Sequence, residues 1–276
     1  MERIDAHQHF WNYDAQRHNW ITTDMAIIRN NFLPRDLKPV LEENKMEGTV
    51  AVQAEQTPEE TAFLLRLANE NSFIRGVVGW VDLQAAGIVD QLAELKQHQK
   101  LKGFRHILQG EPDEAFMLRP AFLNGIKELT KQGFTYDILV FPNHLVHVEK
   151  LLQQCPGQSF VIDHLAKPYI RKGEIKKWDE DMRRIADYPN AWCKLSGMVT
   201  EADWKHWKKE DIYPYINVVM EAFGTKRVMF GSDWPVCLVA GSYQEVLGIV
   251  EDYTSSFSIE EKKQIFGLNA ISFYNL

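Results

Sequence analysis

A chain of 276 residues, 45% hydrophobic, can bury a sizeable core, and its formal charge of −7 leaves no Lys/Arg surplus to grip a phosphate backbone, so nucleic acid is not an expected partner. The three cysteines, Cys155, Cys193 and Cys237, are too widely spaced for a disulfide framework or a zinc ribbon and read as small buried residues of a protein in a reducing compartment. The polar start Met1-Glu2-Arg3-Ile4-Asp5 runs straight into motif residues without a signal-peptide pattern, and no apolar run reaches membrane-spanning length; a cytoplasmic protein with no membrane partner is expected.

Along the chain, a short strand-like run followed by an amphipathic stretch recurs eight times. Strands are predicted over 3–7, 49–55, 74–81, 101–105, 135–139, 159–163, 191–195 and 227–230; many are rich in Val, Ile and Phe, as strands covered on both faces should be. Helical stretches cover 34–43, a segment opening at Thr57, 87–98, 120–132, 143–154, 175–186, 212–223 and 244–253, each with apolar residues at helical spacing. Thr57-Pro58-Glu59-Glu60 combines a hydroxyl cap, a proline at the first helical position and a glutamate three residues on, which satisfy the free amides of a first turn. Ser258 and Glu261 start an extra C-terminal helix by the same logic. Parallel strands need crossovers of this length, and eight alternations close into an α/β (β/α)8 TIM barrel, expected as a single domain over 1–276. The runner-up is an open doubly wound sheet; against it, His-Gln-His rather than a Gly-x-Gly-x-x-Gly turn follows the first strand.

Asp5-Ala6-His7-Gln8-His9 is the most informative segment. Strand alternation points His7 and His9 the same way, close enough to share one ion or one substrate group, with Ala6 and Gln8 pointing elsewhere. In a barrel that face opens at the mouth where such enzymes place their chemistry. Taken alone, the pair is as readily structural as functional. His164 ends the run Val161-Ile162-Asp163-His164 and Asp233 follows Val228-Met229-Phe230-Gly231-Ser232. Singly, His164 reads as a structural histidine and Asp233 as a cap or turn former. Together at the ends of separate strands, His7, His9, His164 and Asp233 favour a reactive centre.

A His-x-His on strand one, a His after strand six and an Asp after strand eight resemble the amidohydrolase superfamily over nearly the whole chain. The segments DAHQHFW, KGFRH, VIDHLAKP, KLSGM and FGSDWP further resemble its sugar-acid lactonase branch, similar to the L-fuconolactonases and L-rhamnonolactonases and related to the pyrone-dicarboxylate lactonases. The resemblance implies a hydrolase that opens a small sugar lactone by water attack on the ester carbonyl. Metal-rich relatives carry a bridging lysine or glutamate on strand four and a ligand histidine on strand five, where this chain reads Leu-Lys-Gly-Phe-Arg and Thr-Tyr-Asp-Ile-Leu. That departure argues against a two-metal centre and against the mononuclear zinc decarboxylases. One divalent ion such as zinc could be held by His7, His9 and Asp233, with His164 as a further ligand and a position left for water, though the resemblance does not make the ion obligatory. His144 and His147, just beyond strand five, could contribute but read more simply as a solvated helix start.

For lactone opening, Asp233 is expected to take the proton of the attacking water and return it to the ring oxygen, while His7, His9 and His164 polarise the carbonyl, through a metal or directly. Substrate donors are sought at other strand ends: Arg105 and His106 after strand four, Lys167 after His164, and Lys194 with Ser196 at strand seven. Trp11 and Trp234 could stack on a sugar ring, whereas Trp80 is expected to pack the rim. Glu55 either points into the mouth or begins the Thr57 helix. Two other classes stay open. A metal-dependent decarboxylase or amide hydrolase on the same scaffold is weakened by the missing strand-five histidine, and a silent barrel would be expected to have lost part of the His/Asp set. A homo-oligomer is allowed by the composition but not legible in it.

Overall fold

The computed structural model describes residues 2–276. Eight parallel strands lie in sequence order: β1 (Ile4–Gln8), β2 (Gly48–Val52), β3 (Ile74–Gly79), β4 (Leu101–His106), β5 (Thr135–Ile138), β6 (Phe160–Ile162), β7 (Ala191–Leu195) and β8 (Val228–Phe230). The ring closes between β8 and β1 through a Gln8–Trp234 bridge, with the His9 amide donating to Trp234 O at 2.7 Å and the Asp233 amide to His7 O at 2.8 Å. The result is a (β/α)8 barrel whose seam falls at the residues singled out in the sequence.

The crossover helices are α1 (Pro34–Glu43), α2 (Pro58–Glu70), α3 (Ile88–Leu95), α4 (Pro120–Gln132), α5 (Leu145–Gln154) and α6 (Lys176–Ala186). A short α7 (Met198–Glu201) precedes α8 (Lys209–Phe223) and α9 (Tyr243–Tyr253). The cap expected at Thr57 forms, its hydroxyl accepting from the Glu60 amide at 3.1 Å. The second strand stops at Val52, short of the predicted 55, because the Ala54 amide donates to the Glu60 carboxylate and the chain turns to enter α2. Glu55 therefore sits in a loop.

The extra C-terminal helix is present in pieces: α10 (Ile259–Lys263), a π-turn (Gln264–Leu268) and α11 (Asn269–Tyr274). Ala270, Phe273 and Tyr274 of α11 pack against Ile4, Ala6, Val50, Val52, Val78, Val161 and Met229, so the helix plugs one end of the barrel over an apolar layer of strand side chains. A larger apolar shell, including Phe104, Tyr136, Ile138, Ile162, Cys193 and Phe230, joins the outer strand faces to the helices. Strand alternation thus divides residues between two cores, and beyond the inner apolar layer the inward positions are charged. No helix among the described residues is long and apolar enough to cross a membrane.

Candidate active site

The pairing of β1 with β2 shifts register between Asp5 and Gln8, three residues on β1 spanning two on β2. Such a bulge lets consecutive side chains share a face. Ala6 joins the barrel-interior cluster, and His7 beside it is also directed inward; the simple alternation expected for Ala6 fails at this point. Asp5 faces the opposite way and ties the bulge down, its carboxylate accepting from the His7 and Ser232 amides at 3.1 and 2.9 Å and from the Tyr243 hydroxyl at 3.1 Å. Burial pushes that carboxyl up to about 6 against these donors.

His7 Nε2 lies 3.2 Å from His9 Nε2, and Asp233 Oδ1 lies 3.3 Å from His9 Nε2 and 3.9 Å from both His7 Nε2 and His164 Nε2. The four side chains predicted from separate segments do converge. His164 begins four consecutive non-glycine residues with positive φ, His164 to Lys167, and Asp233 has φ of 58°. Left-handed backbone costs about 1–2 kcal/mol per such residue, and it concentrates here at the ends of β6 and β8. Gly197, itself at φ 61°, allows the close packing: a Cβ there would lie 2.6 Å from His164 Nδ1.

Burial pushes the His7 imidazole well below its ordinary value, despite the Asp163 carboxylate, and pushes His164 down to about 4 despite Asp233 and Asp163. Burial would raise the Asp233 carboxyl, but the imidazoles around it, His164 first, outweigh it and hold the group well below the carboxylate range. At neutral pH His7 and His164 are therefore neutral imidazoles beside an ionised carboxylate.

Beneath it lies a layer that the sequence reading passed over. Lys194 Nζ sits 2.6 Å from Asp137 Oδ2, 3.0 Å from Asp163 Oδ1 and 3.0 Å from His7 Nδ1, all side chains without solvent exposure. Arg105 Nη1 donates to Asp163 Oδ2 at 3.0 Å and lies 3.3 Å from His7 Nε2, while its other arm donates to Gln53 O. The Tyr274 hydroxyl of α11 reaches Asp137 at 2.8 Å. Asp137, Asp163 and Lys194 occupy inward positions of β5–β7 and its edge, so the signal existed: a charged residue in an apolar strand is tolerated only when paired.

The centre opens into a cavity of about 540 Å³ lined by His9, His164, Asp233, Arg105, Lys167, Glu55 and Trp20, among others. Four of the expected substrate contacts are elsewhere. Lys194 is wholly enclosed by the carboxylates that neutralise it. His106 is engaged on both nitrogens, accepting from Trp80 Nε1 and facing Glu111 at 2.7 Å. Trp11 and Trp234 are buried on either side of Phe32, with ring centroids 5.7 and 5.2 Å from it; Trp11 stacks on His9 and braces its imidazole, and neither tryptophan lines the cavity. Trp80 stands over His106 at the rim. His144 is buried and caps its own turn through Phe141, and neither it nor His147 lines the cavity. Arg105 and Lys167 do line it; Lys167 also pairs with Glu201 at 3.2 Å.

The donor set fits a metal. His9 Nδ1 faces the Val52 carbonyl at 2.8 Å and must donate to it, which fixes a lone pair on Nε2 toward His7 Nε2 and Asp233 Oδ1. Ligand atoms 3.2–3.9 Å apart match those around an ion bonded at about 2.0–2.1 Å, and His7, His164 and Asp233 form a recognisable three-donor group. A second group, His7, Asp137 and Asp163, already holds the Lys194 ammonium at its centre, which explains why a two-metal centre has no room.

Neutral imidazoles gathered around one carboxylate at the mouth of a parallel barrel suit water activation, and a barrel hydrolase is the class that fold and site define together. A model of the amidohydrolase family matches residues 4–276. The chain is 39% identical to the L-fucono-1,5-lactonase of Burkholderia multivorans, an alignment covering 99% of this chain and 96% of that protein. It is 23% identical to the L-rhamnono-gamma-lactonase of Scheffersomyces stipitis over 70% of this chain and 66% of that one. A crystal structure of a Burkholderia multivorans amidohydrolase with bound zinc matches along the full length of both chains, with a TM-score of 0.97 and 39% identity. This chain belongs to the amidohydrolase family.

Proposed function

We propose that this chain hydrolyses a sugar-acid lactone of the L-fuconolactone or L-rhamnonolactone type in the cytoplasm. The observation that carries the reading is an ionised Asp233 held between His9 and His164 in a cavity within the size range of small-molecule sites, about 300–1,000 Å³. The lactonase names of full-length relatives support the substrate class.

The Arg105 guanidinium, which lines the cavity and can only donate, faces the developing oxyanion. His9 Nε2 and Asp233 accept from the attacking water. As the water bonds to the carbonyl carbon its proton passes to Asp233, and as the bond from that carbon to the ring oxygen breaks the proton goes to that oxygen, leaving the open hydroxy acid. Held so low, Asp233 is a weak base toward free water; the transfer belongs to the moment of attack, when bonding to the carbonyl acidifies the proton. A zinc ion held by His7, His9 and Asp233 with His164 would lower the pKa of bound water and polarise the carbonyl, and the His7 Nδ1 proton would then face Asp163 Oδ1, 3.3 Å away.

A panel of aldonolactones followed by pH indicator, with and without chelator, tests this. Proton release on an L-fucono- or L-rhamnono-lactone is expected; no release on any lactone, with zinc added, overturns it.

A further inference from the structure

Glu55 has no part in the reaction just described, yet it lines the same cavity as Asp233. Its side chain is only 9% exposed, and its two ion-pair partners, His18 Nε2 at 3.2 Å and Arg17 Nη1 at 3.6 Å, both lie against Oε1. Among the described residues no hydrogen bond engages Oε2. A carboxylate oxygen that is sheltered, charged and unpartnered in a cavity is a strong acceptor for a ligand hydroxyl.

The surroundings are built to hold it there. His18 is buried beneath the loop, its Nδ1 held between the Asp14 amide at 3.2 Å and the Asp14 carbonyl at 3.1 Å, and its Nε2 faces Glu55. Trp11 and Phe32 exchange backbone hydrogen bonds of 2.9 Å, and the Tyr13 amide donates to Asn31 Oδ1 at 2.8 Å, so the neck of the segment between them is pinned. From that segment Trp20 enters the cavity wall, 37% exposed and resting edge-on against Trp11 at 5.9 Å. A half-open indole braced from behind offers a flat surface to the C–H face of a sugar ring, and the carboxylate beside it an acceptor for that ring's hydroxyls.

We propose that Glu55 and Trp20 form the hydroxyl-reading part of the site: Glu55 Oε2 accepts from ring hydroxyls of the lactone while Trp20 packs on the ring, selecting polyhydroxylated substrates over plain lactones. This rests on the lactonase reading above and assigns its specificity.

The test compares L-fucono-1,5-lactone with δ-valerolactone, which has the same ester ring without hydroxyls. Glu55→Ala is expected to lower kcat/KM on the sugar lactone by about ten- to a hundredfold, the range of hydrogen bonds to a charged group, while activity on δ-valerolactone stays within about twofold. Glu55→Gln, which keeps volume and one acceptor, should fall between, and Trp20→Ala should raise KM for the sugar lactone alone. Equal losses on both lactones, or no loss on either, overturn the assignment. If the wild type opens neither lactone, the lactonase reading falls by itself, and tryptophan fluorescence titrated with L-fucono-1,5-lactone decides the site. A saturable change in the wild type that Glu55→Ala weakens supports the hydroxyl-reading role; identical titrations, or no change in the wild type, overturn it.

Discussion

Replacing Lys194 by Met removes the cation from the charged layer of the barrel while keeping an unbranched side chain of similar length. The ammonium has three partners within 3.0 Å, none reached by water, so the variant leaves Asp137 and Asp163 as buried carboxylates with Arg105, Tyr274 and His7 Nδ1 as their remaining partners. Breaking a buried pair by removing one member costs about 3–5 kcal/mol. Proton uptake limits the loss: burial has already pushed Asp137 up to about 6 despite Lys194, so neutralising it near pH 7.5 costs only about 2 kcal/mol. The expected destabilisation is therefore about 2–5 kcal/mol, which for a chain of this size lowers Tm by about 3–9 °C. Thermal unfolding by circular dichroism measures it, with KM determined on the same preparation. A variant that melts within about 2 °C of wild type but binds substrate many times more weakly would refute the reasoning and restore Lys194 as a substrate contact.

Asp233→Asn should fold with near-normal Tm and lose about 10²–10⁴ in kcat, since a carboxamide cannot accept the water's proton; near-normal turnover would remove Asp233 from the mechanism. Gly197→Ala would place a Cβ 2.6 Å from His164 Nδ1 on left-handed backbone and should cost about 1–3 kcal/mol in urea unfolding together with much of the turnover, because the ring it displaces adjoins Asp233. Glu60, raised to about 7 by burial, with Glu55 adding to the effect, holds its proton more tightly folded than unfolded. Its contribution is full below about pH 4.5 and is lost as pH rises toward 7, so Glu60→Gln should gain stability relative to wild type across that interval, by up to about 3 kcal/mol; parallel Tm curves for the two proteins from pH 5 to 8 would show the shift to be absent.

Much of the architecture could be read directly from the chain. Each predicted strand overlaps an observed one, and α1 and α4 have the predicted limits, because proline at the first helical position and glycine or asparagine past the end are local signals. His7, His9, His164 and Asp233 were legible for a related reason: in a parallel barrel the strand ends all open on one mouth, so position along a strand fixes position in space. Which donors meet the substrate was not legible. Lys194, Arg105 and His106 look alike in sequence, each polar at a strand end, yet one is locked between buried carboxylates, one shares itself between Asp163 and the cavity, and one faces Glu111. Likewise Trp11 and Trp20 are nine residues apart and only the second reaches the cavity. Those outcomes depend on partners more than thirty residues away or on the path of a loop, and pairing of that kind exists only once the barrel has closed.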